Sequence, residues 1–239
     1  MDTGSPQITD AEEEYLQSLF WLFEAGLPMT AANLGRAMRL SAPTVSEMIG
    51  RLERDGYISR NAERTIGFTE SGRADAERIV SRHRMIERFL TDVVGVPWDE
   101  VHEEAEHLEH AMTTRFEAYV RTSVGGALTC PHGHPIRVGE RVDGVPLADC
   151  QLGARVTILR LENEAEDLLH YLKDSGIAPG LTGEITDKDG EHITVTGAGG
   201  PATVTISVAE TVSVTADPSP PPRIALPDQL VLGQGRYGR

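Results

Sequence analysis

Residues 30–56 read TAANLGRAMRLSAPTVSEMIGRLERDG, and this stretch decides the fold of the first third of the chain. Thr30 can cap a short helix, and Ser41 and Pro43 can begin a second one, which Gly56 ends. The apolar positions of the second helix recur at helical spacing: Val45, Met48, Ile49 and Leu52. Two short helices joined by a tight turn predict a helix-turn-helix.

A helix signal precedes this stretch and a hairpin signal follows it. Thr9 and Glu12 have the spacing of a capping box ahead of an apolar set at helical spacing. Residues 57–60 and 64–69 have the pattern of two short paired strands. In this order, these signals predict a winged helix-turn-helix domain over residues 8–73.

Charged helical patterns continue after the predicted wing. They extend from about residue 71 to 90 and from about residue 98 to 121, and Gly95-Val96-Pro97 separates them. We expect these two long helices to form a helical dimerisation and metal-binding domain over residues 74–140.

The composition changes after Thr122 from helical to β. Gly- and Pro-rich residues 123–149 indicate a linker, and residues 216–239 are predicted to be a flexible tail. Between them lie five candidate strands: Arg155–Leu161, Gly183–Ile185, His192–Thr196, Ala202–Val208 and Thr211–Val214. The predicted fold is therefore mainly α with a β-barrel appendage over residues 148–215.

The charge of the chain bears on nucleic-acid binding. The 239 residues carry 37 Asp and Glu against 22 Lys and Arg, a formal charge of −15, which repels a phosphate backbone. Residues 30–73, however, hold seven arginines against five acids, so the acidity lies outside the predicted recognition unit. Only Lys173 and Lys188 are lysines, which is the pattern of a protein from a salt-rich cytosol, although a high-GC coding bias can mimic it.

The sequence also indicates the cellular compartment of the protein. It has neither an apolar run of roughly 18–20 residues nor a basic and apolar leader after Met1, so we expect a cytoplasmic protein with no membrane partner. Cys130 and Cys150 lack Cys-x-x-Cys spacing. We therefore expect reduced thiols rather than a disulfide framework or a thiolate zinc site.

The start of the second short helix offers side chains that could read DNA. Short polar groups there can contact phosphates and base edges in a major groove. The candidates are Ser41, Pro43, Thr44, Ser46 and Glu47, with Arg51, Arg54 and Arg64 as candidates for contacts to the DNA backbone. The same residues fit a capped helix with a solvated arginine face, and the pattern alone leaves both interpretations open.

The densest group of metal-ligating residue types lies at residues 102–110. One face of a helix would present His102, Glu106, Glu109 and His110, and the preceding helix carries His83 and Glu87 one turn apart. Imidazole and carboxylate without thiolate suit Mn²⁺, Fe²⁺, Co²⁺ or Zn²⁺, whereas a solvated charged face is the alternative. The sequence lacks a His-Glu-x-x-His motif, a nucleotide-binding glycine loop and a Ser/His/Asp signature, so we expect neither an enzyme nor an organic cofactor.

Together these features resemble the diphtheria-toxin-repressor family of metal-dependent transcriptional regulators. The resemblance covers residues 8–140 strongly and residues 148–215 weakly. The segments that carry it are Glu13-Glu14-Tyr15-Leu16, Ser41-Ala42-Pro43-Thr44-Val45-Ser46, Arg51-Leu52-Glu53-Arg54-Asp55-Gly56, residues 82–90, residues 101–110 and Cys130-Pro131-His132-Gly133-x-Pro135-Ile136.

The resemblance implies two metal sites and a small Src-homology-like barrel. It places Glu14, Glu106, Glu109 and His110 in a primary site and His83, Glu87 and His102 in an ancillary site, to which the barrel could add Glu162 or Glu164. Iron-responsive members have Met and Cys at the positions of Glu14 and Glu106, where manganese-responsive members have carboxylates. Because oxygen ligands favour the harder ion, Mn²⁺ is the expected metal and Fe²⁺ the alternative.

The resemblance also implies a function. Metal binding would fix a homodimer so that two recognition helices occupy the half-sites of a double-stranded DNA operator, with Pro43, Thr44, Ser46 and Glu47 facing the groove. Relatives often have Gln at the position of Glu47, and a carboxylate there would prefer a cytosine amino group to adenine. We expect a repressor of manganese or iron uptake genes. The alternative is a metal-binding interaction module that never reads DNA.

Overall fold

The computed structural model describes residues 8–216. Apart from its first residue, the tail predicted over residues 216–239 lies outside the described residues. Two compact units divide the described chain between Arg82 and His83. This division does not test the three domain ranges expected from the sequence, residues 8–73, 74–140 and 148–215, and they stay a prediction.

The first unit is a group of helices with a two-stranded wing. It contains α1 (Asp10–Glu24), α2 (Ala31–Ala37), α3 (Ala42–Arg54), β1 (Ile58–Arg60) and β2 (Ile66–Phe68). The two strands pair in antiparallel fashion. This order is the winged helix-turn-helix that the sequence predicted, with α2 and α3 as its two central helices.

Local sequence signals set the helix ends in this unit. The Thr30 hydroxyl accepts a hydrogen bond from Asn33 N at 3.2 Å at the start of α2, and Ser41 Oγ accepts one from Thr44 N at 3.4 Å at the start of α3. The turn between them passes through Arg39, whose φ of 54° is left-handed. The inner faces form an apolar core that includes Leu16, Leu19, Phe20, Leu34, Val45, Ile49, Leu52, Ile58 and Ile66.

Three further helices supply most of the metal-ligating side chains. α4 (Glu70–Phe89) begins in the first unit, ends in the second and continues as a π-helical turn over Leu90–Val94. α5 (Val101–Glu109) and α6 (Thr114–Ser123) follow. The expectation of one long helix from about residue 98 to 121 is wrong, because the Thr113 hydroxyl accepts a hydrogen bond from Phe116 N at 3.2 Å and starts a new helix there.

A six-stranded antiparallel sheet occupies the rest of the second unit, in the spatial order β3-β8-β4-β5-β6-β7. Its strands are β3 (Val145–Pro146), β4 (Arg155–Leu161), β5 (Thr182–Lys188), β6 (His192–Gly197), β7 (Gly200–Thr205) and β8 (Val212–Ala216). Bulges between Ile158 and Arg160 and between Ile185 and Asp187 bend the sheet. Within residues 8–216 the ladder does not close into a barrel, since β3 and β7 are its two edges.

Two helices in this region differ from the sequence prediction. The strand expected at Ala202–Val208 ends at Thr205, whose hydroxyl accepts a hydrogen bond from Val208 N at 3.4 Å and starts α8 (Ile206–Ala209). α7 (Glu166–Asp174) was not predicted, and it buries Leu169 and Leu172 in the core of the sheet domain. The fold is therefore mainly α with an appended small β-domain. Within the described range, every helix is too short or too polar to cross a membrane.

Candidate functional site

Four buried or half-buried side chains meet within the second unit, and we call them the ancillary cluster: His83, Glu87, His102 and Glu164. Nε2 of His83 lies 3.1 Å from Oε1 of Glu87 and 3.2 Å from Nδ1 of His102. Nδ1 of His102 also lies 3.0 Å from Oε1 of Glu87 and 3.0 Å from Oε2 of Glu164. The structure thus brings together the three predicted ancillary residues with one carboxylate from the β-domain.

Three different parts of the second unit position these four side chains. His83 and Glu87 lie one turn apart on α4, and His102 lies in the first turn of α5. Glu164 comes from the loop between β4 and α7. Of the two carboxylates considered from the sequence, Glu162 is held elsewhere: its oxygens accept hydrogen bonds from Arg141 at 2.9 and 3.0 Å and from Arg160 at 2.8 Å.

Two residues expected in the primary site contact histidines of the ancillary cluster. Oε2 of Glu109 lies 2.9 Å from Nδ1 of His83, so the other ring nitrogen of His83 faces the cluster. Oε1 of Glu106 lies 3.4 Å from Nε2 of His102. A carboxylate on the far nitrogen of a histidine fixes the ring orientation, as it does around many metal ions.

Cys130 and His132 adjoin the cluster, and the sequence interpretation did not include them among the ligands. Cys130, His132 and Glu87 have ligand atoms within 4.8 Å of one another. Nε2 of His132 lies 2.7 Å from the Trp98 carbonyl oxygen, and it must donate because a carbonyl only accepts. Nδ1 of His132 is then the ring atom available to a ligand, at 3.3 Å from Oε1 of Glu87.

The signal that could have revealed this pair is the Cys130-Pro131-His132 spacing, which the sequence analysis used only as a mark of the linker. The expectation of no thiolate zinc site rested on the missing Cys-x-x-Cys spacing. The structure places Glu87 of α4, a residue distant in sequence, beside Cys130 and His132, and the three could hold a metal ion together.

The histidines and carboxylates of the cluster shift each other's protonation. Burial lowers the pKa of His83, but the charge of Glu87 and the hydrogen bonds that the imidazole donates to Glu109 and Glu87 outweigh it and raise that pKa to about 9. Burial and the charge of Glu87 raise the pKa of Glu164, but His132, His102 and His134 overcome both and bring it to about 2. Ionised carboxylates are therefore balanced by protonated imidazoles.

The pKa shifts of Glu87 and Cys130 also reflect the charges gathered in and beside the cluster. Burial raises the pKa of Glu87, yet the charges of His132 and His83 hold that pKa well below its usual range. Burial and the charge of Glu87 raise the pKa of the Cys130 thiol to about 11. The cluster is a concentrated negative site that needs positive charge, which protons supply when no cation does.

The residues fit a divalent cation. Oε2 of Glu87 is buried and has no hydrogen-bond partner among the described residues, although a buried carboxylate oxygen costs free energy unless it is paired. Imidazole, carboxylate and one thiol form a mixed nitrogen, oxygen and sulfur donor set. His83, Glu87 and His102 could hold the cation with Glu164, and Cys130 and His132 could add further donors on the side of Glu87.

The primary-site residues lie in both units. Glu14 is an exposed residue of α1 in the first unit. Glu106 and Glu109 lie on α5, and His110 ends that helix with its Nε2 3.5 Å from Oε1 of Glu109. The assembly of all four into one metal site stays a prediction.

The predicted DNA-reading residues lie on one exposed side of α3. Pro43, Thr44, Ser46 and Glu47 are exposed, whereas Val45 and Ile49 are buried in the core. The hydroxyl of Ser41 caps the helix and lies 2.7 Å from Oγ1 of Thr44. Capping and groove contact are compatible roles for the start of this helix.

The three predicted phosphate-contacting arginines differ in their surroundings. Nε of Arg51 lies 2.9 Å from Oε1 of Glu12, so Arg51 ties α3 to α1. Arg54 has 72% of its side chain exposed, and Arg64 is an exposed residue in the loop of the β1–β2 hairpin, with a left-handed φ of 61°. Arg54 and Arg64 are thus the more accessible of the three.

Comparisons with known proteins match each region in turn. Residues 7–66 match the iron dependent repressor N-terminal DNA binding domain, residues 69–137 match the iron dependent repressor metal binding and dimerisation domain, and residues 145–216 match the FeoA domain. The iron-dependent repressor IdeR of Mycobacterium tuberculosis is 33% identical over 209 residues, which cover 80% of this chain and 91% of that protein.

The chain belongs to the diphtheria-toxin-repressor family of metal-dependent transcriptional repressors. The diphtheria toxin repressor of Corynebacterium diphtheriae is 30% identical over 221 residues, 87% of this chain and 97% of that protein. A solved structure of a manganese-dependent transcriptional repressor in complex with manganese matches this chain with a TM-score of 0.77 and 27% identity. The match covers 86% of this chain and 100% of the solved chain.

Membership of the diphtheria-toxin-repressor family confirms the resemblance seen in the sequence. The family consists of DNA-binding transcriptional regulators and not of enzymes, so the expectation that the protein is not an enzyme is confirmed. Its metals are divalent cations, in agreement with the donor set of the ancillary cluster.

Proposed function

We propose that this protein is a Mn²⁺-dependent repressor that binds a double-stranded DNA operator as a homodimer. The observation that carries the proposal is the ancillary cluster, in which α4, α5 and the β-domain bring two imidazoles and two carboxylates within contact distance. The exposed polar side of α3 supports the DNA-reading part. A homodimer presents two such helices, and a pseudo-palindromic operator matches that symmetry.

Manganese is proposed over iron because of the oxygen donors expected at the primary site. Glu14 and Glu106 offer carboxylates, which favour a harder ion. One structural relative is a manganese-dependent repressor with manganese bound, whereas the relative from Mycobacterium tuberculosis is an iron-dependent repressor. Fe²⁺ is therefore the alternative. A cation held by Glu87, Cys130 and His132 would contact the Cys130 thiol, which favours softer ions than Mn²⁺.

The mechanism proposed is a linkage between metal binding and DNA binding. Glu14 on α1, with Glu106, Glu109 and His110 in and at the end of α5, would hold the primary-site cation. When bound, the cation supplies the positive charge that offsets repulsion among these carboxylates. α1 would thereby be held in one position relative to the dimerisation helices, with the two copies of α3 spaced for adjacent major grooves.

The proposed targets are genes for manganese or iron uptake, and the protein would act in the cytoplasm, where it meets the chromosome. Repression under metal excess is a sensible use of a metal-activated repressor, because it lowers uptake when the ion is plentiful. By linkage, operator DNA must raise metal affinity by the same factor as metal raises operator affinity.

The test is DNA binding of the full chain across a series of Mn²⁺, Fe²⁺, Co²⁺ and Zn²⁺, with the upstream region of its own gene as the probe. We expect the strongest activation by Mn²⁺, and a shift toward Fe²⁺ or Co²⁺ in the double variant Glu14→Met, Glu106→Cys. Metal binding without any DNA shift would instead support a metal-binding interaction module, and an operator affinity that saturating metal leaves unchanged would refute the linkage.

A further inference from the structure

A glycine lies within α3 at a position where packing inside the first unit does not require one. Gly50 is in the interior of the helix Ala42–Arg54. Apart from Ile49, Arg51 and the nearby backbone of the helix itself, no described atom lies within 4 Å of the position that a Cβ on Gly50 would take. Glycine in a helix interior is less stable than alanine. The first unit therefore loses helix stability at Gly50 without gaining a packing contact.

The other helical glycines of this unit do have packing reasons. A Cβ on Gly72 would lie 1.7 Å from the Tyr57 carbonyl oxygen, which is a severe clash. A Cβ on Gly35 would lie 3.3 Å from the Leu40 carbonyl oxygen, which is a tight contact. Gly50 alone among these three has open space where its side chain would be.

The open space lies on the side of α3 that faces away from the core. Helical geometry puts Pro43, Glu47, Gly50 and Arg54 on one stripe, opposite the buried Val45 and Ile49. A missing side chain on such a stripe lets a partner approach the helix backbone more closely than any other residue allows. The neighbours on the stripe are an exposed carboxylate and an exposed guanidinium, which suit the amino groups and phosphates of a duplex.

We propose that operator DNA makes its closest approach to α3 at Gly50, and that Glu47, one turn earlier, there accepts a hydrogen bond from a cytosine amino group. The inference rests on the proposed function and goes beyond it by naming the contact point and the base. A carboxylate is attracted to the cytosine N4 amino group, and it is repelled by guanine, whose major-groove edge has only acceptors. Adenine places the acceptor N7 beside its amino group and is the weaker choice.

The experiment selects duplexes from a randomised library with the full-length chain and saturating Mn²⁺, and then sequences them. We expect the wild-type chain to enrich one cytosine in each half-site and Glu47→Gln to change that position to adenine, with a preference of roughly 5- to 150-fold in each case. Glu104→Gln removes an equal charge from an exposed residue of α5 and is expected to select the wild-type sequence.

Gly50→Ala tests the contact point with two readouts that move in opposite directions. We expect a higher denaturant midpoint, because alanine favours the helix, together with roughly tenfold or greater loss of affinity for the selected duplex. Gly50→Gln, with a longer side chain, should lose more affinity and still fold. Full affinity in Gly50→Ala, or an unchanged selected base in Glu47→Gln, overturns the inference and leaves the proposed function in place. Failure of the wild-type chain to enrich any sequence with any of the four metals overturns both.

Discussion

Oε2 of Glu109 lies 2.9 Å from Nδ1 of His83, so a residue expected in the primary site orients a residue of the ancillary cluster. Oε1 of the same carboxylate is 3.5 Å from Nε2 of His110. Glu109 is buried and has only these two oxygens, so a cation that it binds must compete with its existing partners. We infer that occupancy of one metal site changes the affinity of the other.

The variant His83→Gln tests this coupling. It removes a donor from the ancillary cluster and also the imidazole that orients Glu109, so we expect weaker Mn²⁺ binding at both sites, by roughly 10- to 100-fold where an orienting partner is lost. Calorimetric titration of the full chain gives the stoichiometry and both affinities. Glu164→Gln is the matched control, since within residues 8–216 its carboxylate contacts His102 and not Glu109, and it should weaken one site only. Identical losses in the two variants would contradict the coupling.

The β-domain is expected to take part in metal binding through Glu164 and not through Glu162. Oε2 of Glu164 lies 3.0 Å from Nδ1 of His102, whereas Glu162 is bonded by Arg141 and Arg160. Glu164→Gln should lower Mn²⁺ affinity and also the thermal stability of the metal-free protein, because the imidazoles of His102 and His132 lose a carboxylate that balances their charge. Glu162→Gln should lower the thermal stability and leave Mn²⁺ affinity unchanged, because it leaves the buried Arg160 without its carboxylate partner. Metal titration and thermal unfolding of both variants decide, and a loss of metal affinity in Glu162→Gln alone would refute the assignment.

Cys130 is expected to affect metal choice. Its thiol has a pKa of about 11, so at neutral pH a cation must displace the proton before sulfur can bind, and softer ions do so more readily. Cys130→Ser should therefore reduce the affinity for Zn²⁺ more than the affinity for Mn²⁺, as measured by competition with a chromophoric chelator.

Cys150→Ser is the control for that experiment. Cys150 is also a buried thiol with a pKa raised to about 11, and burial is the largest cause. Its Sγ lies 3.8 Å from the Pro146 carbonyl oxygen in the β-domain, and it belongs to none of the described groups of metal-ligating atoms. Equal Zn²⁺ and Mn²⁺ losses in Cys130→Ser, or a comparable change in Cys150→Ser, would show that sulfur does not select the metal.

Local signals explain which parts of this fold could be predicted from the sequence. Caps such as Thr30 and Ser41 act within one turn, so the helices of the winged unit and their order were predicted correctly. The break before α6 and the helix α7 were missed. Thr113 lies within a run of residues at helical spacing, so the helix break there has no separate signal. The apolar residues of α7 form a short set, and the spacing of such a set fits a strand as well as a helix.

The candidate site was predictable only where its residues share a helix. His83 and Glu87 are one turn apart, and helical spacing is enough to pair them. Glu164 and His132 reach the same place from a loop and a linker, and no local period connects them to α4. Long-range packing of the β-domain decides that contact, which is why the sequence left Glu162 and Glu164 as equal candidates.

That packing leads to a prediction for one of the two lysines of the chain. Nζ of Lys173 on α7 donates to Oδ1 of Asp99 at 2.6 Å, and Asp99 is buried just before α5. The same segment carries His102 three residues later, and α7 begins two residues after Glu164. The ion pair therefore holds the loop of Glu164 against the start of α5 without touching the cluster itself.

Lys173→Met should weaken Mn²⁺ binding at the ancillary cluster, by less than the roughly 10- to 100-fold loss typical of a group that directly contacts a metal ligand. The physical reason is that a loosened α7 must be ordered again before Glu164 can meet His102, and this ordering reduces the binding free energy. Lys188→Met is the matched control, because Nζ of Lys188 donates to the Ala148 and Cys150 carbonyl oxygens and not to Asp99. Calorimetric titration of both variants measures the difference. If Lys188→Met loses as much affinity as Lys173→Met, general softening of the β-domain is the cause and the Asp99 ion pair has no special part in placing Glu164.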